Sequence, residues 1–162
     1  MKKCVFAGTF DPPTVGHADV IEKCLKIFDH VVAAILINPQ KHSMLSVEQR
    51  LSLLRKLYGD NKNVTVRTFS GTAADLLREE NTPFYVRGVR DGIDFEYENR
   101  NHFASRRLMP ELITIYLPCE QKHMHVSSTL VRNSILFKKD YADLVPSAIL
   151  SDIQNMLEDK DV

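Results

Sequence analysis

The sequence predicts an α/β protein with a doubly wound, five-stranded parallel sheet and helices on both faces. Short apolar runs alternate with amphipathic helical segments along the chain. One of these runs, Val31–Ile37, is almost wholly apolar, as expected for a strand that is buried on both faces of a sheet. Polar and charged residues follow the predicted strands at the edge where ligands bind in such folds.

The elements follow in order from local patterns. The first strand, Cys4–Ala7, leads into a helix over residues 16–28 whose apolar side chains recur at helical spacing. After the second strand, Ser46–Gln49 has the form of a capping box that begins the next helix. The remaining strands are predicted at Val64–Phe69, Phe84–Val86 and Ile113–Leu117, and the remaining helices at Thr72–Glu80, Asp94–Leu108, Ser127–Phe137 and about 146–158. We expect one domain over 1–162, with a frayed tail from Glu158 to Val162.

Composition excludes several classes of function. Lys plus Arg number 21 and Asp plus Glu number 21, so the net charge is zero and nothing favours bulk binding to nucleic acid or membrane. No stretch approaches the ~20 apolar residues of a membrane span, and the apolar run after Met1–Lys3 is too short for a signal peptide. The three cysteines are far apart without a CxxC motif, which favours free thiols and a cytoplasmic location.

The segment Gly8–His17, with the sequence GTFDPPTVGH, is the most informative stretch of the chain. It places a glycine-containing turn after the first strand and polar groups at the start of a helix, an arrangement that binds anions such as phosphate. His17 at that position is able to donate a hydrogen bond to charge that develops in a reaction. The alternative is that Gly8 and Gly16 only permit tight turns and that His17 is a polar residue at a helix start.

Two further cationic positions follow predicted strands. Lys41 lies in the polar loop after the second strand, where the alternative is an ordinary exposed lysine. The segment Arg87–Arg90 follows the fourth strand. Arginine binds phosphate with a two-pronged fork, and the glycine between the arginines lets a ligand approach the backbone. The alternative for this segment is a salt-bridged pair on a helix-capping loop.

Two polar runs complete the candidate site. Asp94–Glu98 continues into the long fourth helix, and for Glu96 a solvated helix face is the preferred interpretation. Ser127–Thr129 opens the helix after the fifth strand. One hydroxyl there is sufficient for a helix cap, whereas three hydroxyls and the unpaired N–H groups of the first turn form a second cradle for phosphate.

Together these motifs resemble the nucleotidyltransferase superfamily that carries a TxGH or HxGH motif, in particular bacterial phosphopantetheine adenylyltransferases. The resemblance extends from Gly8 to about Leu130 and includes the segments GTFDP, NPxK, RGxR and DFEYE. It implies a Rossmann-like nucleotidyltransferase fold. It also implies transfer of the adenylyl group of ATP to 4′-phosphopantetheine by direct in-line attack, which gives dephospho-coenzyme A and pyrophosphate in coenzyme A biosynthesis.

The resemblance also assigns roles to residues. His17 is implied as the catalytic residue that stabilises the transition state. The implied phosphopantetheine-binding residues are Thr9, Lys41, Ala73 and Arg87. The implied ATP-binding residues are Thr9, Phe10, His17, Gly88, Val89, Arg90, Glu98, His123, Met124, His125, Val126, Ser127, Ser128 and Thr129. Mg²⁺ is expected to bridge ATP phosphates without an all-protein metal site, and a homo-hexamer is implied.

Two segments depart from the family pattern. His123 and Met124 stand where relatives usually carry an aromatic residue and a serine, although an imidazole is still able to stack on a base. A metal site at His123 and His125 is an alternative for which the sequence offers no third ligand. Ala73 is smaller than the usual residue, which suggests a roomier channel for the pantetheine arm.

Three rival interpretations remain open at this level. A sister transferase on the same fold would use nicotinamide mononucleotide with ATP, or glycerol phosphate with CTP. A non-catalytic nucleotide sensor would keep the fold but needs no transition-state donor such as His17. An unrelated α/β domain with fortuitous motifs would not bind ATP at all.

Overall fold

The computed structural model describes residues 1–158, and its elements lie close to the predicted ones. The strands are β1 Lys3–Gly8, β2 His30–Ile37, β3 Val64–Ser70, β4 Phe84–Val89 and β5 Ile113–Pro118. The helices are α1 Val15–Ile27, α2 Val47–Tyr58, α3 Ala73–Glu79, α4 Gly92–Leu108, α5 Ser128–Leu136 and α6 Ser147–Glu158, with a 3₁₀ turn at Gln121–His123. Of the predicted frayed tail, residues 159–162 lie outside the described range.

Strand β4 is longer than predicted. The prediction ended it at Val86, just before Arg87 and Gly88. The strand instead continues to Val89, and Arg87, Gly88 and Val89 pair in register with the last residues of β5. A parallel ladder is formed by backbone groups, so these side chains do not prevent pairing. The consequence is that Arg87 projects from a strand rather than from the loop that follows it.

The five strands form one parallel sheet in the order β3-β2-β1-β4-β5, which confirms the doubly wound α/β prediction. The strand order reverses between β1 and β4. These two strands pair only at Val5–Tyr85 and Phe6–Val86, whereas β1 and β2 pair from Lys3 to Gly8. Beyond Phe6, β1 and β4 are therefore not joined by a continuous ladder. In open α/β sheets such a switch point forms a crevice at the carboxyl ends of the strands.

Both faces of the sheet are buried. Because side chains alternate along a strand, Phe6 of β1 packs with Ile21 of α1 and Leu54 of α2 on one face, whereas Val5 packs with Leu77 of α3 on the other. A third cluster joins α2, α5 and α6. No helix within residues 1–158 is long and apolar enough to cross a membrane.

The capping box predicted at Ser46–Gln49 is confirmed. The Ser46 hydroxyl accepts a hydrogen bond from the Gln49 N–H at 3.1 Å, and Gln49 Oε1 accepts one from the Ser46 N–H at 2.9 Å. Both bonds satisfy N–H groups that have no partner within the helix. They fix where α2 begins, and hence how the preceding polar loop with Lys41 approaches the sheet.

We predict that Gly88→Ala destabilises the fold by about 1–3 kcal/mol, the usual cost of overpacking. A Cβ at Gly88 would lie 2.7 Å from Val20 Cγ2 of α1, so the Val20 side chain or the adjoining backbone would have to shift. Urea unfolding measures the loss. Gly92→Ala is the matched control, because a Cβ there meets no atom within 4 Å. Equal stability of the two variants would contradict the prediction, and Val20→Ala should restore part of the loss in Gly88→Ala.

Candidate active site

A cavity of about 510 Å³ opens at the carboxyl ends of β1 and β4, where the strand order reverses. Its volume is typical of a small-molecule site. Most of the residues predicted to bind ATP or the acceptor line this cavity. They are Thr9, Phe10, His17, Lys41, Arg87, Gly88, Val89, Arg90, Glu98, His123, Val126, Ser127, Ser128 and Thr129. The fold therefore brings together segments that are up to about 120 residues apart in the chain.

His17 is held by the start of helix α1. Its Nδ1 accepts a hydrogen bond from the Thr14 N–H at 3.0 Å, and the Thr14 hydroxyl accepts one from the His17 N–H at 3.3 Å. The two residues form a capping box in which histidine takes the place of the usual Glu or Gln. Because a backbone N–H only donates, Nδ1 must be unprotonated, and the ring proton of neutral His17 lies on Nε2.

The environment keeps this histidine neutral. Burial lowers the pKa of His17 to about 4, and the positive charges of Arg87 and Arg90 contribute to the decrease. The ring also packs on Phe10, with the two ring centroids 4.7 Å apart. At neutral pH the side chain is therefore an uncharged hydrogen-bond donor in a fixed orientation.

The turn after β1 has an unusual backbone conformation. Phe10 has φ of 50°, a left-handed value that is uncommon for a residue with a large side chain. Its ring is 1% exposed and packs on Phe6 beneath His17. The side chain of Phe10 thus belongs to the core, and a ligand would meet this residue through its backbone. The left-handed turn places Thr9 at the cavity wall.

Arg87 is clamped by Glu98. Its Nε and Nη2 donate to the two carboxylate oxygens of Glu98 at 2.9 and 2.6 Å. Its Nη1 donates to the Ala7 carbonyl and, at 3.1 Å, to the Tyr85 hydroxyl. These bonds use four of the five guanidinium N–H groups and leave one on Nη2. Both carboxylate oxygens of Glu98 accept hydrogen bonds from Arg87, so Glu98 orients this arginine.

Arg90 is held by a second carboxylate. Its Nε donates to Asp94 Oδ2 at 2.8 Å and its Nη2 to Asp94 Oδ1 at 3.2 Å, while its Nη1 donates to the Val126 carbonyl at 3.3 Å. The hydrogen bond to Asp94 raises the pKa of Arg90. Because Asp94 also accepts from the Arg90 N–H at 3.1 Å, the side chain and backbone of this residue are fixed together.

The hydroxyls of the Ser127–Thr129 run have partners within the protein. Ser127 Oγ accepts from the Leu130 N–H at 3.0 Å and is the N-cap of α5. Ser128 donates to the Pro12 carbonyl at 2.8 Å, and Thr129 Oγ1 accepts from Arg132 at 3.1 Å. The cap interpretation is therefore confirmed for Ser127. The backbone N–H groups of Ser128 and Thr129, at the start of α5, have no intrahelical partner and remain available to an anion.

Lys41 stands at the entrance of the cavity on an exposed loop. Within residues 1–158 its ammonium has no hydrogen-bonding or ionic partner. Three other predicted residues do not line the cavity. Ala73 is the first residue of α3, and Met124 and His125 lie on the exposed side of the turn before α5. The contact roles predicted for these three residues stay predictions.

The cavity is also lined by residues that the sequence did not assign to the ATP or phosphopantetheine sites. They include Asp11, Thr14, His42, Ser43, Cys119 and Arg132. Arg132 Nη1 donates to the Asp11 carbonyl at 2.8 Å, which joins α5 to the turn after β1. Arg132 comes four residues after Ser128 and therefore lies on the same side of the helix. This spacing is a signal in the sequence that could have identified it. Asp11 and Thr14 belong to the Gly8–His17 segment, whereas His42, Ser43 and Cys119 are recognised only once the loops are placed in space.

His123 contains an unusual atom. Among the described residues, its Nδ1 is the one buried side-chain nitrogen or oxygen that lacks a hydrogen-bond partner. Leaving such a group unpaired costs about 1–3 kcal/mol. The residue lies at the end of the 3₁₀ turn that borders the cavity.

Comparison with known proteins agrees with this geometry. The model of the cytidylyltransferase-like family matches residues 5–134. Curated proteins called phosphopantetheine adenylyltransferase are similar along nearly the whole chain. One from Clostridium botulinum is 32% identical over 99% of this chain and 98% of its own length. One from Clostridium tetani is 36% identical over 94% of this chain and 96% of its own length.

A solved structure supports the fold. A chain described as a nicotinate-nucleotide adenylyltransferase from Vibrio parahaemolyticus superposes with a TM-score of 0.66 at 26% identity, covering 91% of this chain and 96% of that one. The chain therefore belongs to the cytidylyltransferase-like family, and curated proteins called phosphopantetheine adenylyltransferase match nearly its full length.

Proposed function

We propose that the protein transfers the adenylyl group of ATP to 4′-phosphopantetheine, giving dephospho-coenzyme A and pyrophosphate. The observation that carries the proposal is the full-length similarity to phosphopantetheine adenylyltransferases, together with the placement of His17, Lys41, Arg87 and Arg90 around one cavity. The neutral, oriented His17 argues against a mere nucleotide sensor, because binding alone does not require such a donor.

In the proposed reaction, an oxygen of the acceptor phosphate attacks the α-phosphorus of ATP. The bond between the α-phosphorus and the bridging oxygen breaks, and pyrophosphate leaves. The Nε2–H of His17 donates to the α-phosphate as negative charge increases there. A neutral donor suits this step, since it keeps its proton throughout. No covalent intermediate with the enzyme is needed, so the protein contributes positioning and electrostatic stabilisation.

The cationic side chains of the cavity bind different substrates in this proposal. We assign the acceptor phosphate to Thr9, Lys41 and the remaining N–H of Arg87, and the ATP phosphates to Arg90 and the first turn of α5. Both arginines are already held by carboxylates, so they lose little conformational freedom when phosphate binds. Glu98 acts on the substrates through Arg87 rather than by direct contact.

We propose that Mg²⁺ enters with ATP and supplies charge neutralisation on its phosphates. Within the described part of the chain, no three His, Cys, Asp or Glu side chains cluster closely enough to hold a metal ion. The three cysteines are free thiols, which supports a cytoplasmic location for the enzyme.

We also propose assembly into a homo-hexamer, with α4 in an interface. This helix has 17 residues, none of them buried. Ile93, Tyr97 and Phe103 are 79%, 62% and 61% exposed. Apolar side chains concentrated on one exposed element mark an interaction surface.

We predict that the pKa of His17, followed by NMR, is about 4 in the folded protein. Arg90→Gln should raise it, because a nearby cation is removed. Arg100→Gln on the exposed side of α4 is the control and should leave it unchanged. The unfolded chain binds a proton near pH 6.5, so His17 should lower folding stability as the pH falls from about 6.5 to about 4. A pKa of 6.5 in the folded protein would contradict this account.

We predict pyrophosphate release when the purified protein receives ATP, Mg²⁺ and 4′-phosphopantetheine. Parallel reactions with nicotinamide mononucleotide, nicotinate mononucleotide or glycerol 3-phosphate, and with CTP in place of ATP, should be inactive. Turnover with one of these acceptors would reassign the protein to a sister activity on the same fold. No turnover with any pair, while ATP still binds, would favour the sensor.

His17→Ala is the control for this assay. It should lower kcat by about 10²–10³-fold, the usual loss when one transition-state donor is removed. ATP affinity, measured by calorimetry, should change little. An unchanged chemical step in a folded His17→Ala protein would contradict the proposed role of the histidine.

We predict a solution mass near six times the 18.5 kDa of one chain, measured by light scattering after size exclusion. Phe103→Glu should reduce this mass, because it places a charge on the exposed apolar side of α4. Phe137→Glu, a similarly exposed phenylalanine (68%) beyond the end of α5, is the matched control. Loss of assembly in the control but not in Phe103→Glu would move the interface away from α4.

A further inference from the structure

Two charged side chains are buried although the proposed chemistry does not use them. Asp11 is 3% exposed and Arg50 is 5% exposed. Burying a charge is costly unless hydrogen bonds compensate it. Asp11 follows β1, whereas Arg50 lies in α2. Both lie beside the loop of residues 38–45, which joins β2 to α2 and contains Lys41.

Asp11 binds the backbone of that loop. Its Oδ2 accepts from the Met44 N–H at 2.7 Å, and its Oδ1 accepts from the Leu45 N–H at 2.8 Å. Both carboxylate oxygens are therefore directed at consecutive amides. These bonds begin three residues after Lys41, so they fix the end of the loop through which Lys41 joins α2.

Arg50 makes the reciprocal connection. Its Nη1 donates to the Thr9 carbonyl at 2.8 Å, and its Nε donates to the Ser46 carbonyl at 3.3 Å. A residue of α2 thus holds the turn after β1, while Asp11 of that turn holds the loop before α2. The hydrogen bonds of Asp11 and those of Arg50 thus run in opposite directions between the turn after β1 and the segment that contains the loop and the start of α2. They join Thr9 and Lys41, which border both the main cavity and a neighbouring cavity of about 300 Å³.

We propose that Asp11 and Arg50 are positioning residues that set the distance between Thr9 and Lys41, and with it the affinity for the acceptor phosphate. The inference rests on the proposed function, because it concerns the acceptor side of that site. The ammonium of Lys41 has no partner within the described residues, so its position depends on how its backbone is held. His17 is oriented independently by Thr14. Loss of these connections should therefore affect the acceptor more than ATP.

Asp11→Asn is the main test. The variant keeps the size of the side chain, but its NH₂ group faces an N–H donor and loses one of the two bonds. We expect KM for 4′-phosphopantetheine to rise at least 10-fold, with kcat reduced less than 3-fold and ATP Kd within 2-fold of the wild type. Asp29→Asn is the matched control, because Asp29 also accepts from a backbone amide, that of Lys2, at the opposite end of the sheet. An equal loss of ATP affinity, or an unchanged acceptor KM in a folded protein, would overturn the proposal.

A double-mutant cycle separates positioning from general damage. If Asp11 acts through Lys41, Asp11→Asn should raise the acceptor KM little further in a Lys41→Met background. Fully additive effects would overturn the proposal. Arg50→Lys is a second variant, which keeps the charge but not the fork that reaches both carbonyls. It should give a similar KM-selective change, and an effect confined to kcat would count against the inference.

Amide exchange tests the connection without any substrate. The Met44 and Leu45 amides should be protected in the wild type and exchange at least 10-fold faster in Asp11→Asn, with unchanged protection of β1 and β2. Unchanged exchange in the folded variant would overturn the positioning role. Failure of the wild type to use phosphopantetheine would instead refute the proposed function, and the exchange measurement would still decide whether Asp11 holds the loop.

Discussion

Strands β1 and β4 are neighbours that pair at only two positions, and the rest of the site depends on this short ladder. The next strands on either side, β2 and β5, are each paired along six positions. The sheet therefore stays continuous while its centre opens at the carboxyl end. The turn after β1 and the end of β4 face each other across the opening, which brings His17 and Arg87 together. Because β1 and β4 lie near the centre of the sheet, both strands pack against the hydrophobic clusters on its two faces.

The guanidinium groups of Arg87 and Arg90 lie at this opening, and each forms a salt bridge with a carboxylate. Glu98 orients Arg87 and Asp94 orients Arg90, and both carboxylates are themselves part of the cavity lining. The arginines in turn help to lower the pKa of His17. The same charges that attract two phosphate-bearing substrates thus add to the effect of burial in keeping the histidine neutral, and the hydrogen bond from Thr14 to Nδ1 leaves its proton on Nε2. Two anions repel each other, so a site of this kind needs cations for binding and a donor whose protonation does not change during the reaction.

The sequence predicted most of the fold because periodicity and caps are local. Each strand and helix was recognised from its own residues, and the one clear difference, the longer β4, arose because Gly88 resembles a loop residue while its backbone pairs with β5. The cavity was predicted because its motifs follow strand ends. A salt-bridged arginine was the stated alternative for Arg87, but its partner Glu98 was not predicted, since that depends on which of several nearby groups the side chain reaches. Ala73 was assigned to the phosphopantetheine site by its resemblance to the family pattern, yet it does not line the cavity. A residue that matches a family motif in the sequence need not face the site.

The buried polar residues show where the interior departs from the usual preference for apolar side chains. Four such residues are described, namely Asp11, Thr14, Arg50 and Thr82, and three of them support the turn after β1 or the loop facing it. Phe10 in the same turn has a left-handed backbone, a conformation that costs free energy and persists only when neighbours enforce it. Stability alone favours apolar packing at these positions. Their concentration around one turn indicates that the geometry of this turn serves the chemistry, and that the surrounding core compensates its cost.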